Sequence, residues 1–170
     1  KFPFAFPIAS SKLLSAADFK NKMQLADTGY GQGEVGVSVL HEAMIYSVFV
    51  NGGDLIAPSL EMSGESSAKI WHKGAISPEI AGIIKDDLTA VVEDAHGTAH
   101  SAAISGVRIA AKTGTAELGD SAGTENGWVS AFNVDDPRIL VTMMIENVQN
   151  KGGSHYVVPK VKSVLQQYLK

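Results

Sequence analysis

Four consecutive residues, Lys112-Thr113-Gly114-Thr115, set a cation, two hydroxyls and a residue without a side chain at the end of an apolar run from Val107 to Ala111. The run reads as a buried strand, so the lysine places a charge at the edge of a core element. On extended backbone Thr113 and Thr115 share one face, and Lys112 and Gly114 share the other. Two hydroxyls then line up beside a ligand lying along the strand edge. Gly114 lets that ligand approach the backbone, and the amide near Thr115 is placed to donate to an oxyanion, which together suit an anionic carbonyl substrate. The plainer alternative is a strand that ends in a turn, with Lys112 snorkelling at a sheet edge and both threonines acting as ordinary strand formers.

Other spacings compete and lose on context. Ser66-Ser67-Ala68-Lys69 spells a nucleophile one helical turn from an activating lysine. That geometry needs a helix, whereas these residues lie in a polar turn leading to a strand, where positions three apart point to opposite faces. His96 and His100 have the spacing of two metal ligands, but Gly97 lies between them and no third ligand accompanies the pair. We therefore expect a capped turn or a surface pair there, and no metal or other cofactor. Gly31-Gln32-Gly33-Glu34-Val35-Gly36 has the spelling of a dinucleotide fingerprint, yet no convincing strand leads into it and no βαβ unit follows.

The elements that must position Lys112 can be read on either side of it. Val37, Leu40, Met44, Ile45, Val48 and Phe49 repeat at helical spacing, with Ser38 as a candidate cap and Asn51-Gly52-Gly53 as the stop. Residues 55–62 and 69–73 read as two short extended segments of a hairpin around a polar turn. Ser77-Pro78-Glu79 opens the clearest helix, with serine as cap and proline at the first helical position, running to about Glu93. Gly97-Thr98 then breaks the pattern. Residues 107–115, 127–134 and 138–146 read as three strands of an antiparallel meander, the last two joined by the Asp135-Asp136-Pro137 turn. Val157, Val161, Val164, Leu165 and Tyr168 form one stripe of a final helix over 156–169. Helices covering an antiparallel sheet make an α+β fold.

Bulk composition narrows the function classes. The 170 residues, 45% of them apolar, suffice for one domain with a substantial core. A net charge of −4, from 18 acidic and 14 basic side chains without long runs, leaves no electrostatic footprint for nucleic acid. No apolar stretch nears the ~18 residues of a membrane span. The absence of cysteine excludes disulfides and thiol catalysis and assigns no compartment. Three phenylalanines within Lys1 to Pro7 are unusual for a free terminus and suggest a chain that begins partway through a domain.

Over nearly its whole length the sequence resembles the transpeptidase domain of high-molecular-mass, class B penicillin-binding proteins, especially those of Gram-positive bacteria. Lys112-Thr113-Gly114-Thr115-Ala116-Glu117 is similar to the third motif of that family with its continuation. Ala26-Asp27-Thr28-Gly29-Tyr30-Gly31-Gln32-Gly33-Glu34, followed by a helix ending Val50-Asn51-Gly52-Gly53, resembles the segment before the hairpin. Gly97-Thr98-Ala99-His100 resembles the turn into the motif strand, and Asn126-Gly127-Trp128 to Phe132 the next strand.

The resemblance implies a partial penicillin-binding-protein/serine β-lactamase-like fold. It also implies a serine-type D,D-transpeptidase that cross-links peptidoglycan of the bacterial cell wall, acylated by the D-Ala-D-Ala end of a stem peptide or by a β-lactam. Lys112 would supply positive potential and hydrogen bonding. Thr113 and Thr115 would bind the ligand carboxylate, Gly114 would leave room for it, and the Thr115 amide would be an oxyanion donor. The nucleophilic serine motif and the Ser-x-Asn motif of the family do not appear where its order requires them. Residues 1–170 are thus expected to be the C-terminal portion of the domain, inactive without the N-terminal portion, and Ser66 stands where the family has neither motif. The competing expectation is a β-lactam sensor or a non-catalytic penicillin-binding module of the same fold. The family location is the extracytoplasmic face of the cell membrane, with the anchor outside this chain.

Overall fold

A computed structural model describes residues 8–14, 19–60 and 69–169. The elements are α1 (Lys22–Gly29), α2 (Val39–Val50), β1 (Leu55–Ile56), β2 (Ile70–His72), α3 (Pro78–Glu93), β3 (Ile109–Glu117), β4 (Glu125–Asn133), β5 (Leu140–Ile145) and α4 (Val158–Tyr168), with short 3-10 turns at His100–Ala102 and Gly153–Tyr156. β3, β4 and β5 form the expected antiparallel meander in that order, and β1 pairs antiparallel with β2 in a separate two-stranded sheet shorter than the expected segments 55–62 and 69–73, whose joining turn lies outside the described residues.

The helices start where the side chains can satisfy the first free amides. Ser38 accepts from the His41 N–H and Ser77 from the Ile80 N–H, and Pro78 occupies the first turn of α3, where its missing donor costs nothing. Helix α1 is an element that hydrophobic periodicity does not reveal. Asn21 caps it through the Gln24 N–H, but it buries no residue, so its sequence carries no apolar stripe to read. Strand β3 begins two residues later than expected because Val107 donates back to the Ile104 carbonyl in a tight turn, and it continues through Glu117. The final helix starts at Val158, two residues after Tyr156, which ends the preceding 3-10 turn.

Strand alternation divides the core between the two faces of the sheet. The odd-numbered face presents Ile109, Ala111, Val129 and Ala131 to Val158, Val161 and Leu165 of α4. On the even-numbered face Ala110 and Phe132 meet Leu88 and Ile84 of α3 and Tyr46 and Phe49 of α2. The sheet is therefore a middle layer, with α4 on one side and α2 and α3 on the other. Ala110, Ala111 and Ala131 are fully buried, and their small side chains allow the covering helices to come close. Each fully buried valine or leucine of α4 contributes about 1.5–3 kcal/mol relative to exposure. That packing fixes β3 from behind and leaves its outer edge as the surface on which chemistry can be built.

Candidate active site

The register of β3 is continuous from Ile109 opposite Asn133 to Glu117 opposite Glu125. Just beyond those ends, the Arg108 carbonyl accepts from the Val134 N–H and the Leu118 N–H donates to the Thr124 carbonyl. Even-numbered backbone groups of this strand therefore point to β4. In an antiparallel ladder the N–H and C=O of one residue point the same way, so Thr113 and Thr115 aim theirs at the outer edge. The Thr115 carbonyl confirms this direction, because the Gln32 side-chain amide donates to it from outside the sheet at 3.1 Å. The Thr115 N–H lies on the same outward edge.

The threonine side chains share one face, as alternation requires, but that face is turned toward the covered side and both hydroxyls are engaged. Thr113 is buried, and its Oγ1 lies 2.8 Å from the Thr98 Oγ1. Thr115 donates through Oγ1 to the Ser154 Oγ at 3.2 Å, and the Ser154 backbone N–H donates to the same Thr115 oxygen at 3.1 Å. The expected row of two open hydroxyls is thus a row of two hydroxyl pairs. Each pair holds two O–H donors and spends one internally, leaving one proton for an anionic ligand.

Two glycines allow the close packing around Thr115. Gly127 stands opposite it in the register, and a Cβ there would come within 2.8 Å of the Val157 Cγ2 and 3.1 Å of the Gly153 carbonyl. Gly153 has φ of +60°, and a Cβ on it would lie 2.8 Å from the Thr115 Oγ1. The 3-10 turn before α4 can only press against Thr115 because it carries glycine at that point.

Lys112 and Gly114 lie on the opposite face, opposite Ser130 and Trp128. Lys112 is exposed, and its Nζ curls back to donate to the Thr113 carbonyl at 2.7 Å, which brings its charge to the same outer edge. Ser130 is buried beside it and pairs with the Thr142 hydroxyl at 2.9 Å. Tyr30, in the loop after α1, donates to the Asp27 carboxylate at 3.0 Å. That hydrogen bond and the carboxylate's charge push the phenol above its ordinary range, with a smaller contribution from Glu117 of β3.

Thr98, Gln32 and Ser154 were not singled out by residue chemistry. Thr98 sits in the turn leading into the motif strand, and Gln32 lies in the glycine-rich loop set aside as a false dinucleotide fingerprint. That loop follows helix α1 and runs back to Lys12 through a two-bond bridge at Gly36. Ser154 had only the preceding Gly152-Gly153 as a signal. Among the remaining candidates, His100 directs Nδ1 to the Val92 carbonyl at 2.9 Å, and the His96 backbone N–H donates to Asp94. No group of three potential metal ligands occurs among the described residues. The Ser66-Ser67-Ala68 part of the serine–lysine spelling lies outside the described residues. No described helix is long and apolar enough to cross a membrane.

A family model, the penicillin-binding protein transpeptidase domain, matches residues 7–166. Penicillin-binding protein 3 of Bacillus subtilis is 44% identical over 168 residues, covering 96% of this chain and 25% of its own length. The chain thus spans about a quarter of that relative. The apo transpeptidase domain of penicillin-binding protein 3 from Burkholderia pseudomallei has the same fold, with a TM-score of 0.78 at 22% identity over 98% of this chain and 52% of its own. Penicillin-binding protein A of Mycobacterium tuberculosis, in a structure described as a ceftriaxone acyl-enzyme complex, aligns with a TM-score of 0.77 at 26% identity, over 96% of this chain and 38% of its own.

Proposed function

The chain belongs to the penicillin-binding protein transpeptidase family, and from that premise we propose that it forms the Lys-Thr-Gly wall of a peptidoglycan D,D-transpeptidase of class B. The observation that carries this reading is strand β3 itself, whose outer edge holds the outward-directed Thr115 N–H and the Lys112 ammonium and whose adjoining face holds the two hydroxyl pairs.

In the reaction a serine hydroxyl attacks the carbonyl of the penultimate D-Ala of a stem peptide, and the carbonyl oxygen becomes an oxyanion. The Thr115 N–H donates to it on the open strand edge, where a preorganised donor stabilises the charge as it develops. The C–N bond then breaks and D-Ala leaves with a proton. An amine of a neighbouring stem peptide attacks the resulting ester and regenerates the serine hydroxyl. The spare protons of the Thr113–Thr98 and Thr115–Ser154 pairs bind the terminal carboxylate, Lys112 adds positive potential, and Gly114 keeps the strand slim where the ligand lies. A β-lactam enters the same path, its ring amide opening in place of the peptide bond.

The serine is proposed to lie in an N-terminal portion of the domain outside these residues, since the transpeptidase-domain relative is about twice as long as the part matched here. The working location is the extracytoplasmic face of the membrane. A full-length protein carrying this segment should form a covalent adduct with a fluorescent penicillin, and the 170-residue chain alone should not. Labelling of the short chain at Ser66 would overturn the placement of the nucleophile. In the full-length protein Lys112→Ala should slow acylation at least about tenfold while leaving the unfolding midpoint in place.

A further inference from the structure

Resting on that reading, we propose that Gln32 is a positioning residue of the active site, holding the Thr115 peptide edge in the orientation that aims its N–H at the developing oxyanion. The contact spans 83 residues of sequence and ties the loop after α1 to the motif strand. A carbonyl can only accept, so the group facing the Thr115 oxygen must be the NH2 end of the Gln32 amide.

The donor is delivered by a hydrogen-bonded turn. Tyr30 and Gln32 both donate their N–H to the Asp27 carbonyl and Gly31 donates to the Thr28 carbonyl, which closes the C-terminal end of α1. Gly31 and Gly33, on either side of Gln32, have φ of +84° and +70°, so the turn is one that glycine makes without strain. Gln32 is half-buried between this turn and the strand edge.

The consequence follows from strand geometry. The C=O and N–H of Thr115 leave the strand on the same side, so a hydrogen bond to one restrains the tilt of the other. An edge strand has no neighbour to provide that restraint, and an oxyanion donor works only if its direction is set before the charge appears. Gln32 supplies one bond of the missing neighbour.

The test compares Gln32→Ala and Gln32→Glu with wild type in the full-length protein, separating penicillin binding from the acylation step by rapid kinetics. Gln32→Ala should lower the acylation rate constant roughly tenfold, with binding and the unfolding midpoint nearly unchanged. Gln32→Glu keeps the length but sets a carboxylate against a carbonyl, so acylation at neutral pH should fall further. On acidification the protonated acid can donate to Thr115, and the rate relative to wild type should recover. The titratable and charged groups around that position are Asp27 and the neutral Tyr30 in the same turn, Glu34 paired with Lys12, Glu117 on β3 and the Lys112 ammonium at the same strand edge. Because Gln32→Ala carries no titratable group at this position, its profile over the same pH range separates the effect of the introduced carboxyl from that of its neighbours.

A Gln32→Ala protein that acylates at the wild-type rate, or faster, overturns the proposal; a faster rate would make Gln32 a cap that the ligand must open. Should Gln32→Ala fail to fold, the presence or absence of acid recovery in Gln32→Glu decides. A wild type that takes no label refutes the transpeptidase reading itself, whereas a labelled wild type with indifferent variants refutes only the role of Gln32.

Discussion

The strand that carries Lys112 and the arm that carries Gln32 are held in place by different physics. β3 lies in a sheet whose neighbours Phe132, Ile109, Val129 and Leu165 are fully buried, and helices cover both faces. The arm around α1 buries nothing: Met23, Leu25 and Tyr30 are more than half exposed. It is fastened by the backbone bridge between Lys12 and Gly36, by the Lys12–Glu34 and Gln24–Glu34 contacts, and by Gln32 on the Thr115 carbonyl. The difference separates two ways of failing. Changes in the sheet layer cost stability first and the site with it, whereas changes in the arm reach the site without a detour through the core.

The largest effect belongs to the sheet layer. Phe132 is the bulkiest fully buried side chain among the described residues, packed against α2 and α3. Phe132→Ala should cost about 3–5 kcal/mol, read as a lowered denaturant midpoint. A cost comparable to that of an arm substitution would erase the distinction between the two regions. Gly153→Ala comes next, because its φ of +60° and the nearness of Thr115 Oγ1 act together. The left-handed backbone alone costs roughly 1–2 kcal/mol for a residue with a Cβ. Thr115 must also shift, so penicillin acylation should fall more than the stability loss explains. A variant that lost stability with unchanged acylation of its folded fraction would remove Thr115 from the site.

Much of the sheet layer was legible in the sequence because burial writes itself as periodicity. Helices α2 and α3, their serine caps and the meander follow from side-chain spacing, although Ile45, Ile80 and Ile83 of those stripes stand exposed. The arm was not legible for the converse reason. α1 has no apolar stripe, and its contacts are single hydrogen bonds between residues far apart in the chain, which leave no local pattern. The site divided along the same line. Alternation placed Thr113 and Thr115 on one face, but only the packing of the 3-10 turn against Gly127 and Thr115 showed their hydroxyls to be engaged there, with Ser154 and Thr98 as partners. A strand's spacing tells which side chains go together and is silent about which of its faces a later segment will cover.

The smallest effect tests how the arm is fastened. Lys12 and Glu34 form an ion pair at 2.9 Å with both side chains largely in water, at 64% and 41% exposure, so salt and solvent screen it heavily. The hydrogen bond from Lys12, reinforced by its charge, holds the Glu34 carboxyl below the ordinary glutamate range. A carboxyl lowered in the folded state contributes stability above its unfolded pKa and loses it as pH falls through the folded value, so this contribution fades only in acid. Lys12→Ala should raise the Glu34 pKa toward its ordinary value in an NMR titration, and high salt should do the same to wild type. The unfolding midpoint at neutral pH should not move measurably, because the bonds from Lys12 N–H to the Gly36 carbonyl and from Gly36 N–H to the Lys12 carbonyl do not depend on the side chain. A clear drop in midpoint, or a Gln32-like loss of acylation, would mean that charge and not backbone pairing carries the arm to the strand edge.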